Sequence, residues 1–169
     1  ANDPSLEGLG ELVAVNANGD SIDVYGNLIT EPQFIEFGVL PLALRATSPA
    51  IDAGSEDFEL DPDSSRSDIG YRPFDHNNSS PELTNRFPGG NQRFFQFTMI
   101  EFIMEATDAE EDELYYRYLI DGEEVSTNSS DSLFFLDRGL YYVTGEITDG
   151  NSVLQVHWEI QIGRTDVEQ

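Results

Sequence analysis

The chain has 169 residues, with 33 Asp and Glu against eight basic residues and a formal net charge of −25. All eight basic residues are arginine, and Lys and Cys are absent, which excludes disulfides, thiolate metal sites and thiol nucleophiles. So negative a charge argues against nucleic acid, whose binders need basic patches, and against anionic membranes. No apolar run reaches the length of a membrane span, so no membrane insertion is expected.

A chain this acidic often stays unfolded when aromatics are scarce, but this one carries 11 Phe, 7 Tyr and one Trp. It can therefore fill a core and hold its charge outside. In dilute buffer such a surface repels itself; at molar salt the Debye length falls to about 3 Å and most of that cost disappears. Arginine without lysine fits the same regime, because guanidinium is weakly hydrated and pairs with carboxylates as a fork. The pattern resembles proteins of extreme halophiles; the plainer alternative is an ordinary acidic secreted protein.

In chain order, residues 1–75 hold short apolar runs among many Gly, Pro and Asp, and 7–15 fit either a short helix or a strand. Residues 76–91 begin His76-Asn77-Asn78-Ser79-Ser80-Pro81, directly after Asp75, and end Pro88-Gly89-Gly90-Asn91, which reads as a linker or long loop. Period-two patterns then predict strands over 93–97, 100–106, 114–120, 132–136, 140–148 and 153–162. Turn signals separate them, among them Asp121-Gly122, Asp137-Arg138-Gly139 and Asp149-Gly150-Asn151. Of these, Asp149-Gly150 suits a tight hairpin turn. The last strand alternates most clearly: Leu154, Val156, Trp158, Ile160 and Ile162 share one face, and Gln155, His157, Glu159 and Gln161 the other. The expected fold is all-β: the terminal coil or coils of a parallel β-helix, or an irregular β cap, over 1–75, then an Ig-like β-sandwich over 92–163 and a tail over 164–169. The expected sandwich core includes Tyr116, Tyr118, Tyr141, Val143 and Trp158, with Trp158 bridging the two sheets.

Two stretches carry resemblances. Gly26-Asn27-Leu28-Ile29-Thr30-Glu31-Pro32-Gln33-Phe34, then Thr47-Ser48-Pro49-Ala50-Ile51-Asp52-Ala53-Gly54, then Asp61 to Tyr71 resemble the last coils of secreted right-handed parallel β-helix proteins of the pectate-lyase-like superfamily. This sequence departs from that pattern at Glu31 (usually Asp), Ser64 (usually Gly) and Tyr71 (usually Ala). The resemblance singles out Ser48, Pro49, Asp52, Gly54, Asp61, Asp63, Arg66, Asp68 and Gly70 as a structural motif. Physically, Asp52 can bond neighbouring amides, and Arg66 can reach Asp61, Asp63 and Asp68 as a fork that pins the segment. The same three aspartates would alternatively suit Ca²⁺. Because one coil cannot bury its apolar face alone, 1–75 must pack on something further. The second stretch is Glu105-Ala106-Thr107-Asp108, then Leu114-Tyr115-Tyr116-Arg117-Tyr118-Leu119-Ile120-Asp121-Gly122, Gly139-Leu140-Tyr141-Tyr142-Val143, Ile147-Thr148-Asp149-Gly150 and Trp158. It resembles Ig-like modules of the polycystic-kidney-disease (PKD) type in microbial surface proteins, departing at Tyr118, where Trp is common.

Candidate chemistry is sparse. His76 falls in the linker and His157 on an expected exposed face, with no nucleophile–base arrangement around either. Asp108, Glu110 and Asp112, with Glu111 between them, are candidate Ca²⁺ ligands at a strand junction, against the simpler reading of a solvated turn. Tyr115, Tyr142 and Phe95 are candidate sugar-stacking aromatics. Asn78 and Asn128 match the N-x-Ser glycosylation pattern. No cofactor other than Ca²⁺ is implied. The expected function is non-catalytic, extracellular structure, adhesion or assembly at the cell surface. Its partners would be further copies of the chain or a neighbouring surface protein. The alternative is a glycan-binding accessory region at the C-terminal end of a polysaccharide lyase or hydrolase.

Overall fold

A computed structural model describes residues 12–15, 19, 21–23, 25–38 and 42–164. The chain divides into two units, Ala1–Glu36 with Leu40–Asn78, and Phe37–Val39 with Ser79–Gln169. Expectations for 1–11 and 165–169 lie outside the described residues.

The first unit is mostly turns. Strands β1 (Leu12–Val15) and β2 (Ser21–Asp23) pair antiparallel, so 12–15 form a strand rather than a helix. Isolated antiparallel bridges join Ile22 to Leu28 and Phe34 to Leu44. Leu44, Ala50 and Ile51 form a small buried cluster with Leu28, Phe34 and Phe74 against it. Every strand pairing among the described residues of this unit is antiparallel, and no stack of parallel coils is present among them.

The second unit holds eight strands among the described residues: β3 (Glu82–Phe87), β4 (Gln92–Phe95), β5 (Thr98–Thr107), β6 (Tyr115–Ile120), β7 (Glu123–Ser126), β8 (Ser130–Phe135), β9 (Gly139–Thr148) and β10 (Val153–Gly163). They make one sheet in the order β3-β5-β8 and another in the order β4-β10-β9-β6-β7. The first strand of the unit lies in one sheet and the short β4, parallel to β10, in the other. With consecutive strands split between sheets in this way, the unit is an immunoglobulin-like β-sandwich. A second mark of that fold is the tyrosine corner: Tyr141 Oη, near the start of β9, donates to the Asp137 carbonyl at 3.1 Å.

Alternation in the long strands decides what fills the interior. Phe102 and Phe135 from the three-stranded sheet meet Tyr118, Trp158 and Tyr141 from the other, with Phe102 and Trp158 edge to face at 5.3 Å. Trp158, Tyr118, Phe102 and Val143 are fully buried, and each such side chain contributes about 1.5–3 kcal/mol. Tyr116 and Tyr141 are partly buried against the same cluster. The indole Nε1 of Trp158 donates to the Pro88 carbonyl at 2.6 Å, so its one polar atom is satisfied. Gly145 allows the closest packing: a Cβ there would lie 2.2 Å from Met104 Sδ and 3.1 Å from Trp158 Cζ3.

Two expectations change. Residues 76–91 are not a linker throughout, because β3 occupies Glu82–Phe87 and pairs with β5 as a sheet edge. The tight two-residue hairpin falls at Asp121-Gly122, where both residues have positive φ, 50° and 90°, as a type I′ turn requires. Asp149-Gly150 instead opens the four-residue β9–β10 connection. There Asp149 Oδ1 accepts the amides of Asn151 and Ser152, both at 2.7 Å.

Candidate functional site

The motif residues of the first unit come together as a pinned strap. Gly54 N donates to the Ser67 carbonyl at 2.8 Å, and Ile69 N to the Ala50 carbonyl at 2.9 Å, so 50–54 and 67–69 run side by side in opposite directions. Gly54 is required by proximity: a Cβ would sit 2.4 Å from Ser67 Oγ and 2.5 Å from the Ser67 carbonyl oxygen. Ser48 Oγ donates to the Pro32 carbonyl, and Pro49 follows in the same turn. Ser64 takes φ 72°, the left-handed conformation that glycine adopts without cost. Gly70 is exposed and closes the strap.

The contacts of this strap correct two expectations. Arg66 does not fork onto Asp61, Asp63 or Asp68. Its Nε donates to the Gly54 carbonyl at 2.7 Å, and a terminal nitrogen lies 3.7 Å from exposed Glu56. The aspartates are held by backbone amides, which an irregular segment leaves in need of acceptors. Asp68 accepts from Asp52 N at 2.7 Å and Phe74 N at 2.6 Å, Asp61 from Asp68 N at 3.0 Å, and Asp63 from Ser65 N and His76 N, both at 2.9 Å. The Asp52 carboxylate does not cap neighbouring amides; its Oδ2 lies 3.2 Å from His76 Nε2. The Ser65 hydroxyl, with the amides of His76 and Ser65, holds the Asp63 carboxyl down at about 2, while burial pushes Asp68 up.

The loop after β5 is organised by one carboxylate. Asp108 Oδ1 accepts the amides of Glu110 and Asp112, both at 3.0 Å, and Glu110 bonds the amide and hydroxyl of Ser79 at 3.2 and 2.9 Å. Among the described residues, no group of three or more His, Asp or Glu side chains is arranged to hold a metal ion.

The sandwich contains a charged arrangement that sequence reasoning missed. Arg117 on β6 faces Glu146 on β9 directly across the sheet. Its Nε donates to Glu146 Oε2 at 2.7 Å and a terminal nitrogen lies 2.6 Å from the same oxygen. Gln155 on β10 donates to the other oxygen, Oε1, at 2.6 Å. The pair is largely out of water, with side chains 11% and 6% exposed. Phe37, which belongs to this unit, lies under the guanidinium with its ring centre 4.4 Å from Cζ, a cation–π contact. Glu124 on β7 stands 3.6 Å away. The available signal was an arginine in mid-strand between tyrosines, and in Glu146 the one charged residue of β9.

The remaining candidates are dispersed. His157 is exposed and shares a 3.2 Å hydrogen bond with Thr144. Tyr115 donates to Glu113 at 2.6 Å, and that bond raises its phenol above the usual range. Tyr142 and Phe95 are exposed on the five-stranded sheet. Asn128 is exposed in the β7–β8 turn, with Nδ2 3.3 Å from Asp131 Oδ2, and Asn78 sits in a turn after Asp75. Within the first unit, an open hollow of about 830 Å³ is bordered by exposed Tyr25 and Phe58, with Asn27, Glu56, Asp57 and Arg66 on its walls.

No protein-family model matches this chain, and no curated protein matches it. Solved structures give partial likenesses. Fibronectin(III)-like modules of Clostridium thermocellum CbhA are 14% identical with a TM-score of 0.42, over 53% of this chain and 49% of theirs. A quinonprotein alcohol dehydrogenase-like protein of Bacteroides thetaiotaomicron is 16% identical with a TM-score of 0.43, over 50% of this chain and 20% of its own. Domains 4 and 5 of the S-layer protein SbsC are 13% identical with a TM-score of 0.27, over 90% of this chain and 95% of theirs. The chain thus spans a fifth of the Bacteroides protein and about half of the CbhA modules.

Proposed function

We propose that this chain is a non-catalytic structural and assembly module of the cell surface, adapted to high salt, whose partners are other copies of itself or a neighbouring surface protein. The observation that carries this reading is the combination of an acidic exterior with large apolar side chains left in water on the sandwich, among them Phe97, Met99, Phe134 and Leu136, each at least 50% exposed. Apolar groups grouped on a soluble surface mark sites of association. The groups able to do chemistry support the same reading: Asp61, Asp63, Asp68 and Asp108 are engaged by backbone amides, and Arg117 and Glu146 by each other. In this reading the first unit is the finishing cap of a β-helix, and the strap that joins Ser48–Gly54 to Arg66–Gly70 closes its end.

The second reading, a glycan-binding accessory region, draws on the hollow with Tyr25 and Phe58 at its rim, since sugar rings stack on exposed aromatics. Sedimentation velocity at increasing protein concentration, beside calorimetric titration with acidic and neutral polysaccharides, separates the two. Mass that grows with concentration and no saturable heat supports the assembly module. A monomer that binds one polysaccharide saturably, and loses that binding in Tyr25→Ala, refutes it in favour of the glycan reading.

A further inference from the structure

Resting on that assembly reading, we infer that the sandwich docks head to tail: a basic, apolar pole on one copy takes the acidic loop at the opposite pole of the next. The second unit has five arginines. Arg117 is buried against Glu146, and Arg86 is occupied by the carbonyls of His157 and Gly89 at 3.5 and 3.3 Å. The other three, Arg93, Arg138 and Arg164, are exposed, and none forms an ion pair among the described residues.

All three lie at one end of the sandwich. Arg93 is on β4 and Arg164 follows β10 directly, and the two border one hollow of about 360 Å³ with Phe94 and Phe95. Arg138 precedes β9, whose first residue Gly139 pairs with Ile162 of β10. The same end carries Phe95, Phe97 and Leu136, exposed by 57%, 64% and 58%. Gln96 N bonds the Gly163 carbonyl at 3.1 Å and Gln96 Nε2 the Leu136 carbonyl at 3.2 Å, so these segments are continuous. Asp137 is the one acid in the β8–β9 turn.

The other end is its complement. Residues 108–113 read Asp-Ala-Glu-Glu-Asp-Glu and precede β6, whose Tyr115 pairs with Thr148 at the far end of β9. The ten residues of β9 therefore separate the poles, about 30 Å at the usual rise. A chain of net charge −25 should repel its own copies; near 0.5 M salt, with a Debye length between about 3 and 8 Å, that long-range repulsion is screened while charges in contact still attract. An acidic second copy is what three exposed arginines beside exposed Phe95, Phe97 and Leu136 fit. The contact joins unlike surfaces, so it repeats into a ring or filament.

The test is charge exchange, read by sedimentation in about 0.5 M NaCl, with circular dichroism and Trp158 fluorescence confirming that each variant folds. The first variant is Arg93→Glu/Arg138→Glu/Arg164→Glu and the second Glu111→Arg/Asp112→Arg/Glu113→Arg. Each alone should associate at least about tenfold more weakly than the native chain, and an equimolar mixture should recover association, because every pole again meets an opposite charge. If the first variant assembles as the native chain does, this interface falls and the assembly reading stands. If both variants are weakened and the mixture does not recover, the acidic loop is not the partner and the proposal falls. A native chain that stays monomeric overturns both the interface and the assembly reading. Association gained only when residues 165–169 are removed overturns the second copy as occupant in favour of the chain's own terminus.

Discussion

Removing Arg117 tests how the sandwich uses its charges. Arg117→Met keeps the length of the stem over Phe37 but leaves Glu146, 6% exposed, with Gln155 as its remaining side-chain partner. A buried pair broken on one side costs about 3–5 kcal/mol, because the surviving charge is uncompensated. Replacing both residues, as Arg117→Met/Glu146→Leu, removes the stranded charge and should return stability to within about 1 kcal/mol of the native chain. The coupling from the double-mutant cycle is then at least about 2 kcal/mol. Urea is the appropriate denaturant, since it leaves ionic strength unchanged. The sole tryptophan, Trp158, lies in the sandwich core, so its fluorescence reports this unit. With a urea slope of about 1.5 kcal/mol per M, the single variant should lower the midpoint by roughly 2–3 M. If Arg117→Met shifts stability by less than about 0.5 kcal/mol, the pair behaves like a solvated surface ion pair, and the account of this sheet is wrong.

Other consequences are accessible with the same material. Gly54→Ala drives a methyl to 2.5 Å from the Ser67 carbonyl, costing about 2–3 kcal/mol locally; amide exchange over 48–70 should speed up roughly 30- to 150-fold, and unchanged exchange would contradict the strap. The Asp63 carboxyl, held at about 2 against 3.8 for a free side chain, contributes stability that is present above pH 3.8 and lost as the pH falls through about 2. Carboxyl NMR should place its midpoint near 2, whereas a midpoint near 3.8 means the Ser65 and His76 bonds are absent in solution. Lowering salt below about 0.5 M should loosen the fold as screening weakens; a full circular dichroism signal and unchanged melting in dilute buffer would remove the argument for salt adaptation.

The parts of the fold readable from sequence were those in which one face is dry. Strands β5 and β10 and the first half of β9 alternate between core and solvent, and the alternation of Leu154 to Ile162 places Trp158 inward. Edge strands carry no such pattern. Glu82–Phe87 has no buried residue and Glu123–Ser126 has one, Ser126, so periodicity alone reveals neither β3 nor β7. The Arg117–Glu146 pair joins residues 29 positions apart, a pairing fixed by sheet register and invisible to local spacing. In the first unit the motif located the strap, but charge alone suggested the wrong partner for Arg66. The carbonyl of Gly54 became its acceptor because the chain reversal leaves that oxygen beside the guanidinium. The aspartates were then free to serve amides that no regular ladder satisfies.

The proposed place of this chain at the cell surface is tested most directly by its exposure on intact cells of the organism that makes it. Antibody raised against the folded chain and applied in growth-strength salt should label unbroken cells, and brief protease treatment of those cells should remove the label. Labelling that appears only after the cells are opened would contradict the account.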